Sequence, residues 1–185
     1  MKTNTKISLI AFMAFSLAIT SCKKDKKELP KVDEGELITT IKLEFTNTGN
    51  PADVKTFIWR DIDGQGGEEP LIDEIKLLPN TNYKMIVAAV LNETTTPAEN
   101  ITEEIEEENY EHLFVYKPNP ADALAITITD KDIKNLPVGL KADVRTGAAK
   151  TGILNVILRH QVGTKNGTEA PGSSDFDITY KVKIQ

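Results

Sequence analysis

Phe176-Asp177-Ile178-Thr179-Tyr180-Lys181-Val182-Lys183-Ile184 decides the fold of this chain. Apolar side chains take every second position, and Asp, Thr and Lys fill the gaps. Successive side chains of a strand point to opposite faces, so this stretch has one face for a core and one for water. Leu37, Thr39, Ile41, Leu43 and Phe45 repeat the alternation near the other end of the folded part. Residues 83–91 and 153–158 are apolar on both faces, as central strands are. Shorter runs at 56–59, 72–77, 113–116, 124–128 and 140–144 complete a set of about nine strands. Turn-forming clusters separate them: Asn47-Thr48-Gly49-Asn50-Pro51, Pro79-Asn80, Lys117-Pro118-Asn119-Pro120 and Thr146-Gly147. Short strands at this spacing predict an all-β fold, an Ig-like antiparallel β-sandwich. Leu43, Phe45, Trp59, Tyr83, Val87, Ile126, Val156, Leu158, Ile178 and Val182 are expected in or beside its single core.

One segment departs from period two. Thr96-Pro97-Ala98-Glu99 has the form of a helix start, with Thr at the N-cap, Pro at the first position and Glu three residues after the cap. Ile101 and Ile105 follow one turn apart, which predicts a short helix over about 97–107. Its outer face carries Glu99, Glu103, Glu104, Glu106 and Glu107, with Glu108 and Glu111 just beyond. Carboxylates near a helix C-terminus oppose the macrodipole. The face is either a solvated acidic surface or a place for a cation or a basic partner.

The N-terminus fixes the location. Lys2 and Lys6 precede an apolar run over residues 7–19, and Leu17-Ala18-Ile19-Thr20-Ser21-Cys22 follows. A basic start, an apolar stretch and a small residue before a cut make a secretory signal. Cys at the cut makes it a lipoprotein signal, because that thiol receives the acyl chains. The run of about 13 residues is too short to span a bilayer, which takes about 20. Residues 1–21 are thus expected to be a signal peptide and Cys22 a lipidated first residue. Residues 22–34, rich in Lys, Asp and Glu, read as a flexible tether, and residues 35–185 as one domain. Two chains or more of lipid hold a protein stably, so the expected location is the cell envelope, with the outer membrane favoured and its periplasmic or surface face left open.

Composition narrows the chemistry. The chain has net charge −6, a single Cys and two His. Net acidity argues against a nucleic-acid partner. The lone Cys is spoken for by lipid, so no disulfide or thiol chemistry remains. Outside the signal, Ser occurs only at Ser173 and Ser174, in a Pro-Gly loop where it serves turns. There is no phosphate loop, no His-Glu-x-x-His and no nucleophile elbow, so an enzyme is not expected.

Two constellations have binding chemistry. Asp61-Ile62-Asp63-Gly64 opens like a Ca²⁺ loop, with alternate carboxylates before a Gly, although the third Asp/Asn and the terminal Glu are missing. The plainer reading is an acidic, Gly-rich turn. His112 begins one predicted strand and His160 ends another. If those ends share a pole, the two imidazoles with Glu111 would ligate a transition metal or haem iron. If not, they are two separate strand-end histidines. No cofactor is required; a divalent or transition metal is the class the residues admit.

Gly35-Glu36-Leu37-Ile38-Thr39-Thr40, Phe57-Ile58-Trp59-Arg60-Asp61-Ile62-Asp63-Gly64, Leu78-Pro79-Asn80-Thr81-Asn82-Tyr83, Glu111-His112-Leu113-Phe114 and Leu158-Arg159-His160-Gln161 together resemble a family of small Bacteroidota lipoproteins. These are often labelled "type 1 periplasmic binding fold" and are often genomic neighbours of TonB-dependent outer-membrane receptors. The resemblance covers nearly the whole domain. It implies a non-enzymatic accessory lipoprotein that captures ligand beside such a receptor or stabilises the complex, and it carries over no catalytic residue. The residues themselves, with one helix and no βαβ rhythm, keep the fold expectation all-β. The alternative function is a metal-binding lipoprotein that buffers or delivers a cation.

Overall fold

The structure is a computed structural model and describes residues 36–64 and 66–185. The chain divides into Met1–Glu34 and Gly35–Gln185. The expected signal, Cys22 and the tether lie outside the described residues.

Eleven strands and one helix follow in order: β1 (Thr40–Asn47), β2 (Val54–Arg60), β3 (Leu71–Ile72), β4 (Ile75–Leu77), β5 (Asn82–Asn92), β6 (Glu99–Asn100), α1 (Ile101–Glu107), β7 (His112–Asn119), β8 (Leu124–Ile128), β9 (Lys141–Thr146), β10 (Lys150–His160) and β11 (Ser173–Ile184). They make two sheets. One runs β3-β2-β1-β5-β9-β8, with β6 also on β5; the other runs β4-β11-β10-β7. Each neighbouring pair is antiparallel except β4 with β11. The all-β sandwich expected from the alternation is what forms. Ile41, Leu43 and Phe45 of β1 and Tyr83, Met85 and Val87 of β5 meet Leu154, Val156 and Leu158 of β10 and Ile178, Tyr180 and Val182 of β11 in one core. Trp59 and Ile126 pack against it half-buried.

Several local expectations change. The run at 72–77 is two strands, one in each sheet. Asp73 marks the crossing, where its carboxylate accepts the Ile58 N–H at 2.8 Å before the chain passes over to β11. β1 begins at Thr40, so Leu37 is outside the ladder and exposed, while both Thr39 and Thr40 are buried. β7 continues through Pro118 to Asn119, which the ladder tolerates because β7 is an edge strand. The turn comes afterwards, closed by the Ala123 N–H on the Pro120 carbonyl at 3.0 Å.

The helix starts at Ile101, not at 97. Residues 94–100 are exposed and have nothing apolar to bury, and Glu99–Asn100 pair with β5 instead. Asn100 is the N-cap, and its side chain reaches Glu103 at 2.8 Å across the first turn. Ile101 and Ile105 are buried, and the Thr102 hydroxyl accepts the Val90 N–H at 2.7 Å, which fixes the helix against β5.

Two bulges set the phase of side chains. Between β1 and β5 the register slips at Lys42/Leu43, so Ala88 is extra and the inward residues of β5 change from Tyr83, Met85 and Val87 to Val90. This bulge contributes to the apolar appearance of both faces there. Between β10 and β11 it slips at Leu158/Arg159, where Leu158 faces Phe176 and Arg159 faces Ser174. Asp175 is the extra residue.

Candidate functional site

His112 and His160 stand directly opposite each other, as the last pair of the β7–β10 ladder. Both follow the inward phase of their strands, two residues from Phe114 and Leu158 respectively, so both rings enter the end of the sandwich. The rings stack, with centroids 4.6 Å apart and planes 9° from parallel. His112 is 0% exposed and the His160 side chain 11%. The strand-end histidines therefore share a pole.

The ring edges are specified by what surrounds them. His112 Nδ1 lies 3.1 Å from the Glu108 carbonyl oxygen, at the C-cap of α1. A carbonyl only accepts, so Nδ1 carries the hydrogen, and in the neutral ring Nε2 carries the lone pair. That Nε2 is 3.8 Å from Glu36 Oε1. His160 has a carboxylate on each side: Glu111 Oε2 is 3.7 Å from Nε2, and Asp175 Oδ1 is 4.0 Å from Nδ1. Imidazole nitrogens and carboxylate oxygens thus converge at this pole, donor types that suit a cation. One ligand atom from each of His112, His160 and Asp175 lies within 4.8 Å of the other two, and the same holds for Glu108, Glu111 and His160.

Glu111 is placed by the chain leaving α1. Its N–H donates to the Glu108 carbonyl at 2.9 Å, and its own carbonyl accepts the Gln161 N–H at 2.7 Å, tying it to the end of β10. Asp175 is placed by the bulge. In the alternation of β11 it shares the outward phase of Asp177, but the extra residue turns it, and its side chain is 2% exposed. Bulges re-aim side chains in this way beside functional sites. Asp175, Glu36 and Glu108 are the members that sequence reasoning missed. Only the bulge reveals Asp175, and no periodic signal marks Glu36.

The loop from β10 to β11 is wired to the same pole. The buried Gln161 amide donates to the carbonyls of Pro171 at 2.7 Å and Thr168 at 2.9 Å. Arg159 donates to the Gly172 carbonyl and the Ser174 hydroxyl. Nearby, the Lys165 ammonium lies 2.9 Å from Asp132 Oδ2 and donates to the Asn109 carbonyl at 2.7 Å, with neither charged side chain exposed.

The Asp61 loop is closed by its own carboxylates. Asp61 Oδ1 accepts the Gly64 N–H at 2.9 Å and Asp63 Oδ2 accepts the Glu68 N–H at 2.8 Å. That Glu68 N–H, first among its surroundings, holds the Asp63 carboxyl below its ordinary 3.8. These are turn-forming contacts, and among the described residues neither Asp joins a cluster of three metal-ligating groups. The larger grooves lie elsewhere. One of about 490 Å³ crosses the outer side of β5, β9 and β8, lined by Asn82, Lys84, Thr127, Asp143 and Arg145. A cleft of about 210 Å³ opens between β7 and β8 at Phe114, Tyr116, Ile126, Ile128 and Glu169. Neither is lined by His112 or His160.

Comparison with known proteins finds no family model that matches this chain, and no curated protein or solved structure that matches it.

Proposed function

We propose that this chain is a lipid-anchored, non-enzymatic lipoprotein of the outer membrane, an accessory partner that captures ligand beside a TonB-dependent receptor or stabilises the receptor complex. The observation that carries this reading is Leu17-Ala18-Ile19-Thr20-Ser21-Cys22, at the end of a basic and then apolar leader and followed by a charged tether. A tether raises the local concentration of its cargo near membrane partners. The non-enzymatic part draws on the site: both imidazoles are in the interior, and neither lines the grooves described above.

The test is fractionation of native membranes followed by mild-detergent co-purification. A TonB-dependent receptor recovered in stoichiometric amount is the expected result. Recovery from the membrane without a receptor would remove the receptor half of the proposal. Recovery in the soluble fraction would remove the anchor.

A second reading is favoured by one observation, the meeting of His112 and His160 among Glu36, Glu111 and Asp175. On it, the lipoprotein binds a cation at this pole and buffers or delivers it. Elemental analysis of the purified protein tests this directly: a bound metal is expected, and metal-free protein after loading would retire it.

A further inference from the structure

We infer that the cation of this second reading is a first-row divalent metal of the zinc class, held by His112 Nε2, His160 Nδ1 and the Asp175 carboxylate. The inference rests on the cation-binding reading and goes beyond it by assigning each ligand atom and by moving Glu111 out of the ligand set. Metal-bound histidines almost always donate their other ring N–H to a carbonyl or carboxylate, which fixes the tautomer. His112 meets that rule, with Nδ1–H on the Glu108 carbonyl at 3.1 Å, so its ligand atom is Nε2. His160 has two carboxylates to choose from. Placing the metal on the Nδ1 side, toward Asp175, leaves Nε2–H facing Glu111 at 3.7 Å. Both outer partners, the Glu108 carbonyl and the Glu111 carboxylate, then come from the short stretch that ends α1. Two imidazoles and one carboxylate suit zinc and its first-row neighbours better than Ca²⁺ or Mg²⁺, which take oxygen ligands.

The geometry also states what binding must change. A tetrahedral ion with bonds of about 2.0–2.1 Å holds its ligand atoms about 3.3 Å apart, whereas His160 Nδ1 and Asp175 Oδ1 are 4.0 Å apart. Rings 9° from parallel aim their in-plane lone pairs in parallel planes, so one ion cannot lie in both. One ring has to turn. His112 is held by Glu108 and fully buried, so His160, the ring with some exposure, is the one that rotates toward Asp175. Glu36, 3.8 Å from His112 Nε2, is the nearest further carboxylate for a fourth position. Its use would couple the metal to the segment that leads into β1.

The experiment uses the full chain in detergent, with Zn²⁺ titrated by calorimetry and Co²⁺ as a spectroscopic probe. One metal per chain is expected, with the visible absorption of tetrahedral Co²⁺. Asp175→Asn should weaken Zn²⁺ binding at least 100-fold. Glu111→Gln should keep the stoichiometry and weaken binding about 10-fold to 100-fold, as loss of an outer partner does. The β-sheet circular dichroism of each variant shows that it has folded, and the exposed-loop variant Asp61→Asn should bind as the parent does. If Zn²⁺ binding is lost in His160→Gln but untouched by Asp175→Asn, the ligand set is wrong while the cation reading stands. If the parent binds neither Zn²⁺ nor Co²⁺, the zinc-class assignment falls, and if elemental analysis finds no other metal the cation reading falls with it. If Asp61→Asn removes binding, the metal lies in the other loop and the proposal is overturned.

Discussion

Removing one partner of the Asp132–Lys165 pair should destabilise the domain by an amount that depends on which partner goes. Both side chains are fully buried, 2.9 Å apart. Asp132→Ala leaves an ammonium in the interior with the Asn109 carbonyl as its remaining described acceptor, at a cost of about 3–5 kcal/mol. It also strips the N–H groups of Lys134 and Leu136 of the acceptor they reach at 2.8 and 2.9 Å, about 1 kcal/mol each or more. Lys165→Met leaves a carboxylate that keeps those two donors, so its cost should sit at the low end, about 3 kcal/mol. The double variant Asp132→Asn/Lys165→Met keeps an oxygen for the amides and buries no charge, and should lose less than either single change. For a domain of about 150 residues, 2–4 °C accompanies each kcal/mol, so the total of about 5–7 kcal/mol for Asp132→Ala should lower Tm by about 10–28 °C.

Urea unfolding followed by the fluorescence of Trp59, the only Trp, reads all three. The reasoning fails if Asp132→Ala stays within about 1 kcal/mol of the parent, or if Lys165→Met proves the costlier change. Its pH dependence has a fixed sign. Burial would raise the Asp132 carboxyl, but the Lys165 ammonium and the Leu136 and Lys134 amides outweigh it and hold the group below its ordinary 3.8. A lowered folded value means stability that is complete above the unfolded value and lost as pH falls through the folded one. The parent's advantage over Lys165→Met should therefore shrink below about pH 4. Lys165 is displaced downward from 10.5 because burial outweighs its partner. That part is a cost at neutral pH, relieved only in the alkaline range. The 2.9 Å contact favours the ionised pair while full burial of both groups opposes it, so its effect is position rather than net stability.

Three further outcomes are expected. Cys22→Ala should move the protein from the membrane pellet to the soluble fraction, and a variant that resists a salt wash would contradict the anchor. Val156→Asp or Ile178→Asp should abolish cooperative unfolding, because an unpaired buried charge costs several kcal/mol, on the order of a domain's whole stability. Intact near-ultraviolet circular dichroism in either variant would count against the core. Gly172→Ala should cost stability and weaken any Zn²⁺ binding: Gly172 has φ 97°, and a Cβ there would fall well inside contact distance of the His160 carbonyl oxygen. A binding isotherm unchanged from the parent would show that this contact does not position His160.

Much of the fold was legible because alternation is a direct image of a one-sided strand. Ile178, Tyr180 and Val182 are inward in the structure as they are in the sequence. The misreadings share a cause, which is that local pattern does not carry pairing. The run at 72–77 has no break in hydrophobicity, yet β3 and β4 belong to different sheets. The helix start at Thr96 has good capping chemistry, but a helix needs an apolar stripe to bury, and that stripe begins at Ile101. β5 looked apolar on both faces in part because the inward phase changes at Ala88, which only the register with β1 reveals.

The candidate site was half legible for the same reason. His112 and His160 stood at strand ends in the sequence, and whether those ends met depended on β7 and β10 being neighbours in register. Asp175 was invisible for a sharper reason. Counted back from Asp177 by twos, it belongs on the solvent side, and a single extra residue against Arg159 turns it inward. The same bulge thus changes a surface acid into a member of a buried cluster without altering any residue type. Glu111 illustrates the converse. Its proximity to His112 in sequence made it the expected third ligand; in space it lies beside His160 Nε2, in the cluster with Glu108 and His160, and its backbone holds Gln161. Sequence adjacency brought Glu111 to this pole, and the register of β10 with β11 brought Asp175 to the other side of His160.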